Sequence, residues 1–214
     1  MTLVGLVVIA VYSPLLALRT VTVDGTSRVD SAQIRGAVAD QLGTPLALVD
    51  YGRITRRLAA IPLIRSYVTE TVPPDTLLIH VVERQPVGQV RAGTSYKLVD
   101  PAGVTVQDSA QQVAGIPLID LGSGSVSDPS FAAAVRVLLS LPAPLLAKVD
   151  SVTAKTQDDV SLVLSGVGQS VRWGSAEDSQ AKATLLDALI KVTDPNRAGQ
   201  FDVSAPSNGI FRPS

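Results

Sequence analysis

The chain has 214 residues, which at about 150 residues per domain make one large domain or two small ones, and its formal net charge is −1. The absence of cysteine excludes disulfide frameworks, thiol nucleophiles and thiolate metal sites, and a single histidine excludes a metal cluster of several imidazoles. A near-neutral charge and an aromatic content of 4% argue against a nucleic-acid-binding surface.

Residues 1–18 contain no charged side chain, whereas the rest of the chain contains all 18 Lys and Arg and all 19 Asp and Glu. As an α-helix rising about 1.5 Å per residue, Thr2–Leu18 would span roughly 25 Å, close to the lower limit for crossing a bilayer. A cleaved signal peptide is the alternative, but its basic start and small-residue cleavage site are both missing. We therefore predict a transmembrane anchor over residues 1–18, truncated at its start because no basic flank precedes it.

Residues 19–84 show the pattern of a small α+β domain. Their order is strand, helix, helix, strand, strand, and the two helices begin at the capping residues Asp30 and Asp50. In the last strand both alternating faces are largely apolar, which predicts a sheet covered on both sides. The predicted elements are a strand ending at Asp24-Gly25, helices from Asp30 to Gly43 and from Asp50 to Pro62, and strands over 64–72 and 76–83.

Residues 85–125 form short alternating segments separated by Gly, Pro and Asp turns, which is typical of a meander of hairpins, and three more strands are predicted over 149–155, 159–164 and 170–173. Two helices interrupt this β-rich pattern, one capped by Asp128 and one from about Ser175 to Val192. A final strand over 200–204 precedes a polar tail, residues 207–214. The predicted fold class is therefore α+β, with a second domain that is rich in β-strands and carries two helices.

Several short motifs follow one another in a recognisable order. They are Leu18-Arg-Thr-Val-Thr-Val-Asp-Gly25, Val72-Pro-Pro-Asp-Thr-Leu77, Val82-Glu-Arg-Gln-Pro-Val87, Tyr96-Lys-Leu-Val-Asp-Pro-Ala-Gly103 and Val171-Arg-Trp-Gly174. Together with the apolar start and the order of elements, they make the chain resemble the FtsQ/DivIB family of bacterial cell-division proteins. The excess of arginine over lysine, 13 to 5, resembles actinobacterial members.

The resemblance implies a POTRA domain (β-α-α-β-β) at 19–84 and an FtsQ-type β-domain at 85–206. It implies a non-enzymatic, single-span scaffold of the divisome that links early and late division proteins and controls septal peptidoglycan synthesis. The expected partners are FtsB- and FtsL-like bitopic proteins, and no cofactor, metal or nucleic acid is expected. The expected location is the plasma membrane at the division septum, with most of the chain extracytoplasmic.

The final strand is the candidate partner-binding site. A C-terminal strand often lies at a sheet edge, where unpaired N–H and C=O groups can accept a strand from a partner. By position within the resembled family, four residues form the recognition strand and two add apolar contacts beyond it: Asp202, Val203, Ser204 and Ala205, then Ile210 and Phe211. Because Pro206 interrupts pairing, a core strand followed by a disordered tail is the alternative interpretation.

Three arginines lie on the second predicted helix of the first domain. Arg53, Arg56 and Arg57 are three and four residues apart, which places them on one side, opposite Ile54 and Leu58. One interpretation is an ordinary solvated face. The other is a membrane-proximal basic face that contacts anionic lipid head groups.

The sequence also offers weak catalytic and ligand-binding signals. Ser179-Gln-Ala-Lys182 matches the S-x-x-K motif of penicillin-recognising enzymes but lacks its companion motifs, so we expect a solvent-facing helix turn. We expect His80 to be a structural residue under the helices or at a domain junction. We expect Asp158-Asp159 to form a turn and Gly122–Ser125 to be a loop.

Two alternative functions therefore stay open beside the scaffold. One is a POTRA-containing component of outer-membrane assembly or secretion, although only one such unit is present and barrel-type strands are missing. The other is a membrane-anchored cell-wall hydrolase acting through Ser179 and Lys182. No catalytic, metal-binding or cofactor-binding residue is assigned.

Overall fold

A computed structural model describes residues 12–214 of the chain. These residues divide between Arg84 and Gln85 into two units, named unit 1 and unit 2 below. Unit 1 contains a three-stranded sheet and unit 2 a nine-stranded sheet. Each unit has its own cluster of buried apolar side chains.

Unit 1 has the predicted order of strand, helix, helix, strand, strand. Short 3-10 turns at Pro14–Leu16, Ala39–Gln41 and Leu46–Leu48 accompany these elements. The elements are β1 (Thr20–Asp24), α1 (Ser31–Val38), α2 (Tyr51–Leu58), β2 (Ile64–Val72) and β3 (Thr76–Glu83).

The helices of unit 1 begin where the sequence predicts. The Asp30 side chain accepts a hydrogen bond from Ala32 N at 2.8 Å, and the Asp50 side chain accepts one from Arg53 N at 2.9 Å. Leu42 lies within the helix predicted from Asp30 to Gly43 but is 48% exposed. The reason is that α1 tightens into a 3-10 turn after Val38, which changes the rotation per residue.

The sheet of unit 1 has the order β1-β3-β2, with β3 parallel to β1 and antiparallel to β2. Leu77, Ile79 and Val81 of β3 are buried in the same apolar cluster as the inward residues of α1 and α2. On the other face Val82 is 52% exposed and Val68 of β2 is 66% exposed. The prediction of a sheet covered on both sides is therefore wrong for unit 1, because both helices pack against one face.

A buried carboxylate joins the end of β3 to the loop before α1. The Glu83 side chain is 2% exposed and accepts hydrogen bonds from Ser27 N at 2.8 Å, Arg28 N at 2.9 Å and Val29 N at 2.8 Å. The Ser27 hydroxyl donates a fourth at 2.9 Å. Burial opposes ionisation of this group, but the four donated hydrogen bonds outweigh it and lower the pKa of Glu83 from 4.5 to about 2.

The predicted anchor falls mostly on residues 1–11, which lie outside the described residues. Its described end belongs to unit 1 instead: Ala17 bridges Pro45, and Leu18 is fully buried in the apolar cluster. Leu18 N donates to Thr44 O at 2.8 Å, so these backbone groups are satisfied within the unit. The predicted boundary at residue 18 is therefore too late. Within residues 12–214, no helix has both the length and the apolar character needed to cross a membrane.

Unit 2 is built on a sheet of order β12-β11-β10-β9-β8-β7-β4-β5-β6. Its helices pack on the sheet, and the one-turn α4 adds to the two helices that were predicted. The strands are β4 (Gly88–Ala92), β5 (Ser95–Val99), β6 (Thr105–Ser109), β7 (Leu118–Asp120), β8 (Val149–Thr156), β9 (Asp159–Leu164), β10 (Ser170–Gly174), β11 (Gly199–Asp202) and β12 (Ile210–Pro213). The helices are α3 (Pro129–Ser140), α4 (Ala143–Leu146) and α5 (Ser179–Val192).

The core of unit 2 surrounds Trp173, whose side chain is fully buried. Phe201 of β11, Leu186 of α5 and Leu138 of α3 are fully buried in the same cluster. The strands near the C-terminal end of the chain are therefore held by apolar contacts with two helices. This fixes the position of β11 and, through it, of β12.

Glu83 makes the stability of unit 1 dependent on pH. Because its pKa is lower in the folded chain, its contribution is complete above about pH 4.5 and is lost as the pH falls from there toward 2. A shift of this size corresponds to about 3 kcal/mol of unfolding free energy. We expect Glu83→Gln to remove that amount at pH 7, measured by hydrogen exchange of the β3 amides in increasing urea. Glu177→Gln, at an exposed carboxylate of unit 2, is the control, and an equal loss in both variants would contradict this role of Glu83.

Candidate partner-binding edge

The outermost strand at the C-terminal side of the unit 2 sheet is β12, not β11. Gln200 pairs with Arg212 and Phe201 with Phe211 across an antiparallel ladder, while β10 pairs with β11 in parallel on its other side. Both sides of β11 are therefore occupied. The prediction that residues 202–205 form the free recognition strand is wrong for the chain in this conformation, because the tail folds back and covers that edge.

The Asp202 side chain is committed to contacts within the chain. The Ser204 hydroxyl donates to its Oδ1 at 2.7 Å, and Arg172 of β10 and Arg212 of β12 each place a guanidinium nitrogen 3.7 Å from Oδ2. The Ser204 hydroxyl, the Ser204 N–H and the two arginines lower the pKa of Asp202 against the effect of burial. Asp202 thus links three neighbouring strands rather than facing a partner.

The remaining predicted strand residues are divided between core and surface. Val203 is fully buried, and its N–H donates to Arg172 O at 3.0 Å, continuing the pairing with β10. Ser204 is half-buried beside Asp202, and Ala205 is exposed in the connection to β12. Of these three, only Ala205 is accessible to a partner.

The two residues predicted to add apolar contacts both lie on β12. Phe211 packs on Phe201 with ring centroids 4.7 Å apart and rings tilted by 44°. Ile210 is 39% exposed. No strand of residues 12–214 pairs with the outer side of β12, so its outward backbone groups and Ile210 form the accessible edge of the sheet.

Two glycines allow β12 to lie close to the rest of unit 2. A Cβ on Gly199 would lie 2.5 Å from Arg212 O, and a Cβ on Gly209 would lie 2.8 Å from the Leu185 side chain. Sequence reasoning missed β12, although Asn208-Gly209 before Ile-Phe is a hairpin signal that could have predicted it.

The three arginines of α2 do not form a uniformly free basic face. Arg53 Nη1 and Arg57 Nη2 lie 3.1 and 3.2 Å from the same oxygen of Asp40. The hydrogen bond from Arg53 is the main cause that lowers the pKa of Asp40. Arg56 makes no ion pair with another residue of the described range. The face is basic, but Asp40 offsets part of its charge.

The S-x-x-K residues are buried, contrary to the predicted solvent-facing turn. The Ser179 hydroxyl donates to Ala176 O at 2.8 Å and accepts from Trp173 Nε1 at 3.1 Å. Lys182 Nζ donates to Ser175 O at 2.9 Å, and burial lowers its pKa against the opposing effect of Asp178 and Glu177. Within residues 12–214 no hydrogen bond joins Lys182 to Ser179, so the lysine is not placed as a base for that hydroxyl.

His80 lies on the exposed face of unit 1, not under the helices. Its Nδ1 is 2.8 Å from Asp24 Oδ1, and its Nε2 is 3.6 Å from Glu70 Oε2. The hydrogen bond to Asp24 is the main cause that raises the pKa of His80. In the described part of the chain, no group of three or more His, Asp or Glu is arranged to hold a metal ion.

The last two signals lie in turns and loops. Asp158 is in the turn between β8 and β9, where its N–H donates to the Thr156 hydroxyl at 3.3 Å, and Asp159 begins β9. Gly122–Ser125 lies in the connection between β7 and α3, where Ser125 N donates to Asp128 Oδ2 at 2.6 Å. Asp158 and Asp159 line an open polar cavity with Arg172, Glu177 and Ser204, and Gly122 and Ser125 line another with Arg91 and Asp120.

Comparison with known proteins gives one family match and several relatives. Residues 16–84 match the FtsQ-type POTRA domain family. The chain is 36% identical over 204 residues to the cell division protein FtsQ of Streptomyces collinus, covering 90% of this chain and 76% of that protein. It is 32% identical over 203 residues to the FtsQ of Mycobacteroides abscessus, covering 95% of this chain and 64% of that protein.

A solved structure is also similar in part. The major extracytoplasmic domain of the cell division protein DivIB from Geobacillus stearothermophilus superposes with a TM-score of 0.40 and 18% identity, over 53% of this chain and 97% of that chain. This degree of similarity is too low to support a statement about the fold. The relatives in sequence, by contrast, are similar along nearly the whole chain.

We expect Gly199→Ala to displace β12, because the added methyl group would overlap Arg212 O and the Phe211 ring. The amides of residues 210–213 should then exchange at least about tenfold faster, since the strand opens more easily. Hydrogen exchange with mass spectrometry measures this. Gly36→Ala is the control, because nothing lies within 4 Å of a Cβ at that position. Unchanged exchange at 210–213 in Gly199→Ala would show that β12 tolerates the contact.

Proposed function

The chain belongs to the FtsQ family of cell division proteins, and we propose that it is a non-enzymatic, membrane-anchored scaffold of the division machinery. In this role it links early and late division proteins and controls septal peptidoglycan synthesis. FtsB- and FtsL-like bitopic proteins are the proposed partners. The buried, internally bonded Ser179 and Lys182 support a scaffold over a cell-wall hydrolase.

The free outer side of β12 is the observation that carries this proposal. Backbone N–H and C=O groups at an open sheet edge can pair with an extended segment of another chain, and that pairing is largely independent of sequence. Ile210 and Arg212 alternate with Phe211 along this strand, so they supply the side-chain selectivity. The proposed partner segment is therefore a strand with an apolar residue beside Ile210.

Asp202, on the neighbouring strand β11, helps to hold β12 in place. Its carboxylate draws Arg172 and Arg212 together across β11, so the charge of Arg212 is partly balanced before any partner arrives. The recognition strand predicted from sequence, Asp202–Ala205, is available to a partner only if β12 leaves. We place recognition on β12, with Ile210 and Phe211 as its apolar residues.

Unit 1 and the segment before it are the parts of the chain that we propose to contact the membrane. The uncharged segment before Ser13 forms part of a single-pass plasma-membrane anchor, and the folded units lie outside the cytoplasm at the division septum. Arg53, Arg56 and Arg57 face anionic lipid head groups, an attraction of about 1 kcal/mol for each basic residue near the surface. Asp40 moderates this attraction because it binds two of the three arginines.

The alternative role in outer-membrane assembly is not supported, since the relatives are cell division proteins. Depletion in the native host separates the remaining possibilities. Under the proposal, depleted cells grow long and undivided, and a tagged copy of the chain collects at mid-cell. Normal division after depletion would contradict the scaffold role.

For the partner site, we expect Ile210→Lys to weaken binding of the host's FtsB-like protein at least about tenfold and to fail to restore division in depleted cells. The reason is that the added charge lies at the accessible sheet edge. Binding is measured by titration of the purified full chain. Val192→Lys is the matched control, because Val192 is an exposed apolar residue, 83% exposed, that lies on α5 rather than on a strand.

Two results would count against β12. If Ile210→Lys and Val192→Lys bind the partner equally well, the interface lies elsewhere than at Ile210. Binding retained after truncation at Pro206, which deletes β12, would favour β11 and residues 202–205 as the recognition strand.

For the basic face, we expect residues 51–58 to exchange more slowly in anionic vesicles than in zwitterionic ones. Replacement of Arg53, Arg56 and Arg57 by alanine should abolish that difference, and Asp40→Asn should increase it, because the mutations remove or release positive charge. The measurement is hydrogen exchange of the full chain reconstituted in each lipid. Arg35→Ala, on α1, is the control. A lipid-dependent difference that survives the triple replacement would contradict the role of these arginines.

A further inference from the structure

The outer strand of the unit 1 sheet is unusually long for a free edge. β2 spans nine residues, Ile64–Val72, and pairs only with β3 among the strands of residues 12–214. Most of its side chains are exposed, and it contains neither proline nor lysine, the residues that commonly protect a sheet edge. A bulge at Arg65 interrupts the strand only near its start, which leaves Ser66–Val72 as a regular ladder with an open outer side.

The centre of this open edge is apolar. Val68 is 66% exposed and lies on the face that the helices leave uncovered. Ser66 precedes it by two residues and Glu70 follows it by two, so all three side chains lie on the same face. A hydroxyl donor and a carboxylate acceptor are thus placed symmetrically about an exposed valine.

We propose that β2 is a self-association surface, on which a second copy of this chain adds its own β2 antiparallel about Val68. A twofold axis perpendicular to the sheet relates the copies. Val68 then lies opposite Val68 of the second copy, and Ser66 lies opposite Glu70 on both sides of the axis. The contact is isologous, so each copy offers the same patch and the assembly closes as a dimer.

The side chains select this register over its neighbours. A shift by one residue would place inward side chains on the exposed face, which the pleat forbids. A shift that centres the pairing on Thr69 places Glu70 opposite Val68, and one that centres it on Glu70 places two carboxylates opposite each other. Only the register centred on Val68 buries the valine against an apolar group and gives each Glu70 a hydroxyl donor.

A second copy is the occupant that this symmetry favours. If a strand of a different protein bound here, the residues on the two sides of Val68 would not have to match each other. If two copies of β2 pair, these residues lie opposite each other and must be complementary. Ser66 and Glu70 meet that requirement. This proposal concerns unit 1 alone and does not depend on β12 or on any division partner.

The absence of cysteine from the chain makes the register directly testable. Residues directly opposite in an antiparallel pair have Cα atoms about 4.5 to 5.5 Å apart, within the range that a disulfide spans. We expect the full chain with Val68→Cys, in an excess of detergent micelles, to form a disulfide dimer at least about tenfold faster than Val82→Cys. Val82 is the matched control because it is 52% exposed on the same face, but lies on the central strand β3.

Mixing two variants tests the pairing of the flanking residues. Ser66→Cys chains mixed with Glu70→Cys chains should give mainly the mixed dimer, and neither variant alone should cross-link as fast. In sedimentation of the chain without cysteine, Val68→Lys should abolish a concentration-dependent dimer that Val82→Lys retains. Equal cross-linking at positions 68 and 82, a failure of the mixed pair, or a dimer that survives Val68→Lys would each overturn the proposal.

Discussion

A β-sheet cannot satisfy all the backbone hydrogen-bonding groups of its outermost strands, and in this chain that constraint falls on four strands, β1 and β2 in unit 1 and β6 and β12 in unit 2. Inside these edges each unit holds a buried apolar cluster, and the two helices of unit 1 are capped by Asp30 and Asp50. Accessible backbone hydrogen-bonding groups of the described residues therefore lie at these strand edges. A protein with this distribution is suited to binding other strands.

Two buried carboxylates, Glu83 and Asp202, stabilise the connections next to β2 and β12 in the same way. Glu83 accepts hydrogen bonds from N–H groups of the loop before α1. Asp202 accepts hydrogen bonds from Ser204 and lies close to two arginines across β11. Each lies at the end of a strand that neighbours an edge strand. In both cases the internal hydrogen bonds and charges outweigh the cost of burial, so the carboxylate stays ionised and holds a connection in place. Glu83 and Asp202 therefore help to fix the positions of the neighbouring edge strands, β2 and β12.

The parts of this architecture that sequence reasoning predicts are those decided by neighbouring residues. Asp30 and Asp50 cap helices because their side chains reach N–H groups two or three residues away, and the alternation in β3 places Leu77 and Ile79 inward. The parts it misses depend on distant residues. Lys182 is buried because its ammonium group can donate to Ser175 O, and the charge of Arg53 is offset by Asp40. His80 is exposed because both helices pack on the opposite face of the sheet. The covering of residues 202–205 is missed for the same reason, since β12 reaches β11 through contacts between distant residues, Phe211 with Phe201 and Arg212 with Asp202.

The two edges proposed here as binding sites, β2 and β12, differ in a way that bears on what each can bind. β12 has four residues, so a partner strand gains few backbone hydrogen bonds there and must draw its affinity and selectivity from side chains such as Ile210. β2 has nine residues and a side-chain pattern that is symmetric about Val68, so repeated backbone pairing and self-complementarity act together. A short edge backed by a fixed carboxylate suits a selective contact with a different protein. A long symmetric edge suits a contact between identical chains, and one protein can use both because the edges lie on separate sheets.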